Sequence, residues 1–188
     1  MMQYDGKLGK SEFETLRSLI GKRLTAYGTS KPGIDSGIAV EEIFVEAGEL
    51  LVSLIEEFVL TNVCGEVNEY LKFAILDGYP NRAEADVVGG AYFHFRNESI
   101  RSINIYRAHL ERIIDGVKAG EFDHDAAIAI VLESGSLRFI KSDLSTPLIE
   151  FNHSEFGKEP ALPDPAAGWP KSLSDNWDGT WTLISLGD

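Results

Sequence analysis

The sequence predicts a β-rich α+β protein in which two hairpin-bearing halves share one core. Three observations predict it. First, Ile43–Ser53 (IFVEAGELLVS) has an echo at Ile130–Ile140 (IVLESGSLRFI). Aligned without gaps, Ile43/Ile130, Glu46/Glu133, Gly48/Gly135 and Leu50/Leu137 are identical, and Phe44/Val131 and Val45/Leu132 stay apolar. Each copy is an apolar run, an acidic residue, a small residue with glycine, and a second apolar run, which is the pattern of a tight β-hairpin. Second, Ala126–Ser142 is rich in Ile, Val and Phe and is punctuated by Ser134-Gly135-Ser136, so it reads strand–turn–strand. Third, a helix start with its cap is marked at one place near the beginning of the chain, where Ser11 and Glu14 form an S-x-x-E capping box.

In order along the chain, Met1–Lys10 is a lead-in. A short helix is expected over Ser11–Ile20, with Phe13, Leu16 and Ile20 on one face and Gly21 closing it. Arg23–Tyr27 reads as a strand and Thr29–Gly37 as a loop rich in Gly, Ser, Asp and Pro. Ile38–Leu60 fits two templates. Val40, Ile43, Phe44, Ala47, Leu50, Leu51, Leu54, Ile55 and Phe58 fall on one helical face. Gly48 in mid-segment costs a helix about 1 kcal/mol, and the echo has no helical stripe, so strands are expected in both copies. Val67–Leu76 suits helix or strand, and Asp77–Asn81 is a turn.

Gly89-Gly90 is the expected joint between halves of about 11–88 and 91–151 within one compact 1–188 domain. Ala91–Arg96 and Ile100–Tyr106 read as strands joined through Asn97-Glu98-Ser99, His109–Val117 as a strand or short helix, and Lys118–Asp125 as a charged loop. Beyond residue 152 lies a C-terminal arm. Pro160, Pro163, Pro165 and Pro170 make its first part an extended surface segment, because proline donates no ladder hydrogen bond. Asp178-Gly179 between Trp177 and Trp181 then signals a terminal hairpin.

Charge narrows the function classes. The 188 residues hold 17 Lys and Arg against 30 Asp and Glu, a net charge of −13 that divides as −7 over residues 1–90 and −6 over 91–188. Nucleic acid is not expected as a partner, since phosphate binding needs a basic footprint. Hydrophobic content of 44% is enough for a core, yet no window has the 18 uninterrupted apolar residues of a membrane span. Cys64, the single cysteine, permits no internal disulfide and agrees with a reducing compartment. A cytoplasmic protein is expected.

No recognised motif for metal, phosphate or nucleophilic chemistry is present: there is no H-E-x-x-H, C-x-x-C, G-x-S-x-G or G-x-G-x-x-G. No cofactor is expected. Pro32–Leu71 carries nine acidic residues and no Lys or Arg. Within it Glu41, Glu42, Glu46, Glu49, Glu56 and Glu57 are the candidate binding residues of a continuous negative surface. The leading expectation is a non-catalytic acidic module for a basic protein, such as an inhibitor or immunity-type protein. The alternatives are a metal-assisted hydrolase using Asp123, His124, Asp125 and His153, and a homo-oligomeric structural protein.

Overall fold

Two sheets of mainly antiparallel strands and one short helix make up the computed structural model. It describes residues 2–29, 38–40, 42–63, 66–78, 92–141, 148–159, 161–166 and 175–187. The element order is β1 (Met2–Gly6), α1 (Lys10–Ser18), β2 (Arg23–Thr29), β3 (Ile38–Val40), β4 (Glu42–Ala47), β5 (Leu50–Val63), β6 (Glu66–Asp77), β7 (Tyr92–Ser99), β8 (Ser102–Ile114), β9 (Val117–Val131), β10 (Gly135–Lys141), β11 (Leu148–Glu155) and β12 (Asp175–Leu186). The five-stranded sheet runs β6-β5-β4-β2-β7. The seven-stranded sheet runs β12-β8-β9-β10-β11-β3, with β1 added to β9. No helix among the described residues is long and apolar enough to cross a membrane.

Strand alternation builds the core. Ile43, Val45 and Ala47 of β4 and Val52 and Leu54 of β5 face inward from one sheet, and Ile103, Ile105, Ile128, Ile130, Leu137 and Phe139 meet them from the other. Each fully buried side chain of this size contributes about 1.5–3 kcal/mol of transfer free energy. Leu8, Leu16 and Leu19 join the same cluster, so α1 packs against it.

The helix begins one residue earlier than expected, and its cap is not Ser11/Glu14. Glu12 reaches back to accept the Gly9 N–H at 2.5 Å through Oε2. Its Oε1 accepts the Ile75 N–H at 3.1 Å, so one carboxylate both caps α1 and ties it to the edge strand β6.

Both copies of the echo are hairpins, and the strand reading of 38–60 holds. β4 and β5 pair from Ala47↔Leu50 to Glu42↔Ile55, and β9 and β10 pair from Val131↔Ser136 to Ala127↔Ile140. The two glycines differ in role. Gly48 occupies the turn at φ +64° with open space around it, whereas Gly135 opens β10 directly opposite Glu155 of β11. A Cβ at Gly135 would overlap the Ser154 carbonyl oxygen and lie 2.9 Å from the Glu155 Cα. Gly48 thus serves conformation, and Gly135 serves close approach of backbones.

Several expectations change. Lys118–Asp125 is not a charged loop; it is the first half of the fifteen-residue strand β9. The turn preceding it is Asp115-Gly116, with φ of +50° and +77°, the pair of positive values that a type I′ hairpin demands. Asp178-Gly179 is not a turn, because Asp175–Leu186 runs unbroken along β8. There, Gly179 makes room for Pro165, Ala166 and Leu110, each about 3 Å from where its Cβ would stand. Asn97-Glu98-Ser99 does not link two strands either. It ends β7, and the chain crosses between sheets at Ile100-Arg101, where Ile100 exchanges backbone bonds with Gly21 and Lys22. Gly89-Gly90, Cys64, most of the expected loop at 29–37 and the segment 167–170 lie outside the described residues.

Candidate functional site

The seven-stranded sheet branches at β9, and the branch positions a polar surface. On one side β9 pairs with β8 along its whole length. On the other it pairs in parallel with β1 over Gly120–His124, and with β10 over Ala127–Val131. A register shift opposite Tyr106/Arg107 leaves Ala126 unpaired at the branch, as in a β-bulge. Asp125, fully buried, fills the gap. Its carboxylate accepts the Leu8 N–H at 2.7 Å, Arg107 Nε at 2.8 Å and Arg107 Nη2 at 3.0 Å. The aspartate therefore satisfies the backbone where β1 departs and neutralises a cation in a bidentate fork.

Below the branch the register sets side chains opposite one another in rungs: Arg107↔Asp125, His109↔Asp123 and Glu111↔Glu121. Residues 107, 109 and 111 alternate with Ala108 and Leu110, so the three rungs share one face. β1 places Asp5 opposite Asp123, and β12 places Asp178 opposite Glu111. The reverse face carries a mainly aromatic cluster. Tyr4, Leu110, Phe122, Ala166 and Trp177 form a satellite core with Tyr70 beside it, and Phe122 meets Trp177 edge to face at 5.1 Å.

The rungs are electrically knit. His109 Nδ1 lies 2.7 Å from Asp123 Oδ1, and Lys7 Nζ is 3.4 Å from Asp123 Oδ2. The hydrogen bond that His109 donates to Asp123 holds its imidazole above the ordinary pKa, against the opposing pull of burial. Burial pushes the Asp123 carboxyl up, but its bonds with His109 and Lys7 outweigh that and keep it low. His109 Nε2 turns toward Glu111, 3.5 Å away. Glu111 and Glu121 are like charges directly across the ladder, an arrangement that repels unless a cation intervenes. Lys118 supplies one, with Nζ 2.6 Å from an oxygen of each. One ligand atom each of His109, Glu111 and Glu121 lies within 4.8 Å of the other two.

The sequence-expected set Asp123, His124, Asp125 and His153 does not converge. A strand sends His124 to the face opposite Asp123 and Asp125, beside the satellite core, where it is 5% exposed. Burial and the Lys141 charge keep its imidazole well below the ordinary pKa. His153 lies on β11 opposite Leu137, two strands away. His109 and Glu111 take their place beside Glu121 and Asp123. The Asp115-Gly116 turn signal finds the hairpin but not the rungs: a two-residue turn alone would set His109 opposite Phe122, and a one-residue register shift at Arg112/Ile113 brings H-x-E opposite E-x-D.

The six glutamates of the acidic interval do not share one face. Glu46 and Glu49 are exposed, Glu57 is half-exposed and 3.8 Å from Lys72, and Glu42 and Glu56 are buried at 1% and 7% exposure. Glu41 lies outside the described residues. Glu56 is opposite Phe73 on the inner side of β5, and its charge acts on Lys141 of β10. That lysine donates to the Leu71 carbonyl at 3.2 Å and rests 5.3 Å from the Phe73 ring centroid. Compared with known protein families, curated proteins and solved structures, the chain matches no family model, no curated sequence and no solved structure.

Proposed function

We propose that the chain is a non-catalytic, acidic, cytoplasmic binding module that docks a basic protein, as an inhibitor or immunity-type protein does. The observation that carries this reading is the end of the five-stranded sheet where β4 turns into β5. Glu46 and Glu49 are exposed there, and the exposed Asp77, opposite Val52, closes β6 at the same end of the sheet. Among the described residues none of the three carboxylates has an ion-pair partner. Arg23, the nearest cation by register, is turned to Asn97 Oδ1 at 2.8 Å. Unpaired carboxylates gathered at one end of a sheet in a chain of net charge −13 create a field that steers a basic partner.

The test uses a partner enriched from the native host, released by salt and purified. Its association rate is measured with wild type, with Glu46→Lys/Glu49→Lys, and with Glu133→Lys/Glu150→Lys, which changes net charge equally at exposed sites elsewhere. The reading expects the first variant to slow association roughly tenfold at low salt, and the control to slow it much less. Equal slowing would assign the effect to net charge and remove the docking face.

A further inference from the structure

We propose that His109, Glu111 and Glu121 form a divalent-cation site of the first-row transition-metal class, for which the Lys118 ammonium is a built-in competitor. The donor set is one imidazole nitrogen and two carboxylates, a mixture that suits Zn²⁺ and its neighbours. The three donor atoms already lie within 4.8 Å of one another. Metal bonds of about 2.1 Å put neighbouring donors roughly 3–4 Å apart, so small side-chain rotations close the set.

One feature outside the carboxylate pair, the orientation of His109, points to a metal, and the pair itself adds a second. Asp123 engages His109 at Nδ1 and so leaves Nε2, the other ring nitrogen, facing the two glutamates. Metal-binding histidines are oriented in this way, with a carboxylate on the far nitrogen fixing tautomer and ring plane. In addition, the ladder sets Glu111 against Glu121, and a cation between them relieves their repulsion. Lys118 does so at 2.6 Å from both carboxylates, but its side chain is 36% exposed and can swing away. An ion in that place gains the imidazole as well, which an ammonium cannot use as a ligand. With three protein donors, a fourth position is left for water or an anionic group. The site lies on the seven-stranded sheet, apart from Glu46, Glu49 and Asp77, and its existence is independent of the docking proposal.

The experiment is calorimetric titration of the full chain with Zn²⁺ alone, in a non-chelating buffer, backed by the visible spectrum of the Co²⁺ form. Wild type is expected to bind one ion per chain. Lys118→Met should bind at least tenfold more tightly, His109→Gln at least tenfold more weakly, and Asp123→Asn 10- to 100-fold more weakly. Asp123 is a positioning residue, and its loss should also shift the Co²⁺ bands, because the imidazole is no longer held. Circular dichroism shows whether each variant is folded. If Glu121→Gln does not fold, Glu111→Gln reads the same donor pair. No stoichiometric binding by wild type overturns the proposal, as does binding that His109→Gln leaves unchanged. Binding by Lys118→Met alone also overturns it, since the native chain would then have no site.

Discussion

Replacing the two echo glycines with asparagine should have opposite outcomes. At Gly48 the backbone is left-handed at φ +64° and the space is open. A β-carbon there costs roughly 1–2 kcal/mol, and asparagine, which tolerates this region, recovers much of it. At Gly135 the obstacle is the β11 backbone itself. The new Cβ would overlap the Ser154 carbonyl and crowd the Glu155 Cα at 2.9 Å, and neither can rotate away. The strands must part, and overpacking of this kind costs about 1–3 kcal/mol. Each ladder hydrogen bond lost at the Gly135↔Glu155 end adds about 1 kcal/mol. A total of about 3 kcal/mol follows for any side chain, asparagine included. In a chain of 188 residues, 1 kcal/mol moves the melting midpoint by roughly 2–4 °C. Calorimetry should therefore place Gly135→Asn and Gly135→Ala both about 6–12 °C below wild type. Gly48→Asn should fall within about 2 °C of wild type and Gly48→Val well below it. If Gly135→Asn melts like wild type, or Gly48→Asn falls as far as Gly48→Val, the division of roles between the two glycines is wrong.

Other outcomes follow from the buried charges. Asp125→Ala should cost about 3–5 kcal/mol by chemical denaturation, because it strands the Arg107 guanidinium and the Leu8 N–H together; a loss under 1 kcal/mol would show that the branch point is not held by this residue. Lys141 is pushed down to about 8 by burial, with Glu56 and Asp125 opposing, from an ordinary value of 10.5. Above pH 8 the unfolded chain then holds the proton that the folded chain has released. The stability of wild type relative to Lys141→Met should therefore rise from pH 8 toward pH 10, by about 1–3 kcal/mol, and a flat difference would refute the burial argument. His124, kept neutral by burial, gives the same sign at lower pH: the unfolded imidazole takes a proton below about 6.5 that the folded one refuses. Wild type should lose stability faster than His124→Gln as pH falls from 6.5 to 5.5, measured by thermal midpoints, and parallel curves would count against it.

What the sequence makes legible here is local. The strand–glycine–strand units at 43–53 and 130–140 could be read because each hairpin is a short-range object with its turn chemistry written in it. Helix α1 could be placed within two residues at either end, while its cap could not, because Glu12 is chosen by both Gly9 and the distant Ile75. The same limit explains the aspartate–glycine pairs. Asp115-Gly116 is a turn, and Asp178-Gly179 is an unbroken strand whose glycine answers to Pro165 and Ala166. Sequence alone cannot separate a glycine needed for φ from one needed for space. The candidate site shows the cost. With 118–125 read as a loop, Asp123, His124 and Asp125 look like one cluster; in a strand they are split between two faces, and residues fourteen apart, His109 and Asp123, become neighbours. The burial of Glu42 and Glu56 was equally hidden, since nothing local distinguishes them from Glu46 and Glu49.

The branch at β9 also bears on the order in which the chain can assemble. Met2 pairs with Gly120 and Gly6 with His124, so β1 has no ladder partner until more than a hundred further residues have been made. At ribosomal rates of about 5–20 residues per second, that wait is of the order of ten seconds. Hairpins such as β4–β5 and β5–β6 close on microsecond scales in the meantime. Throughout that interval the strand with the most distant partner remains an open edge, able to pair with another nascent chain. The Asp125 contact with the Leu8 N–H is then a latch that only a correctly docked β1 can engage. Loss of that aspartate should show itself in the yield of correctly assembled protein before it shows in the melting of what does assemble.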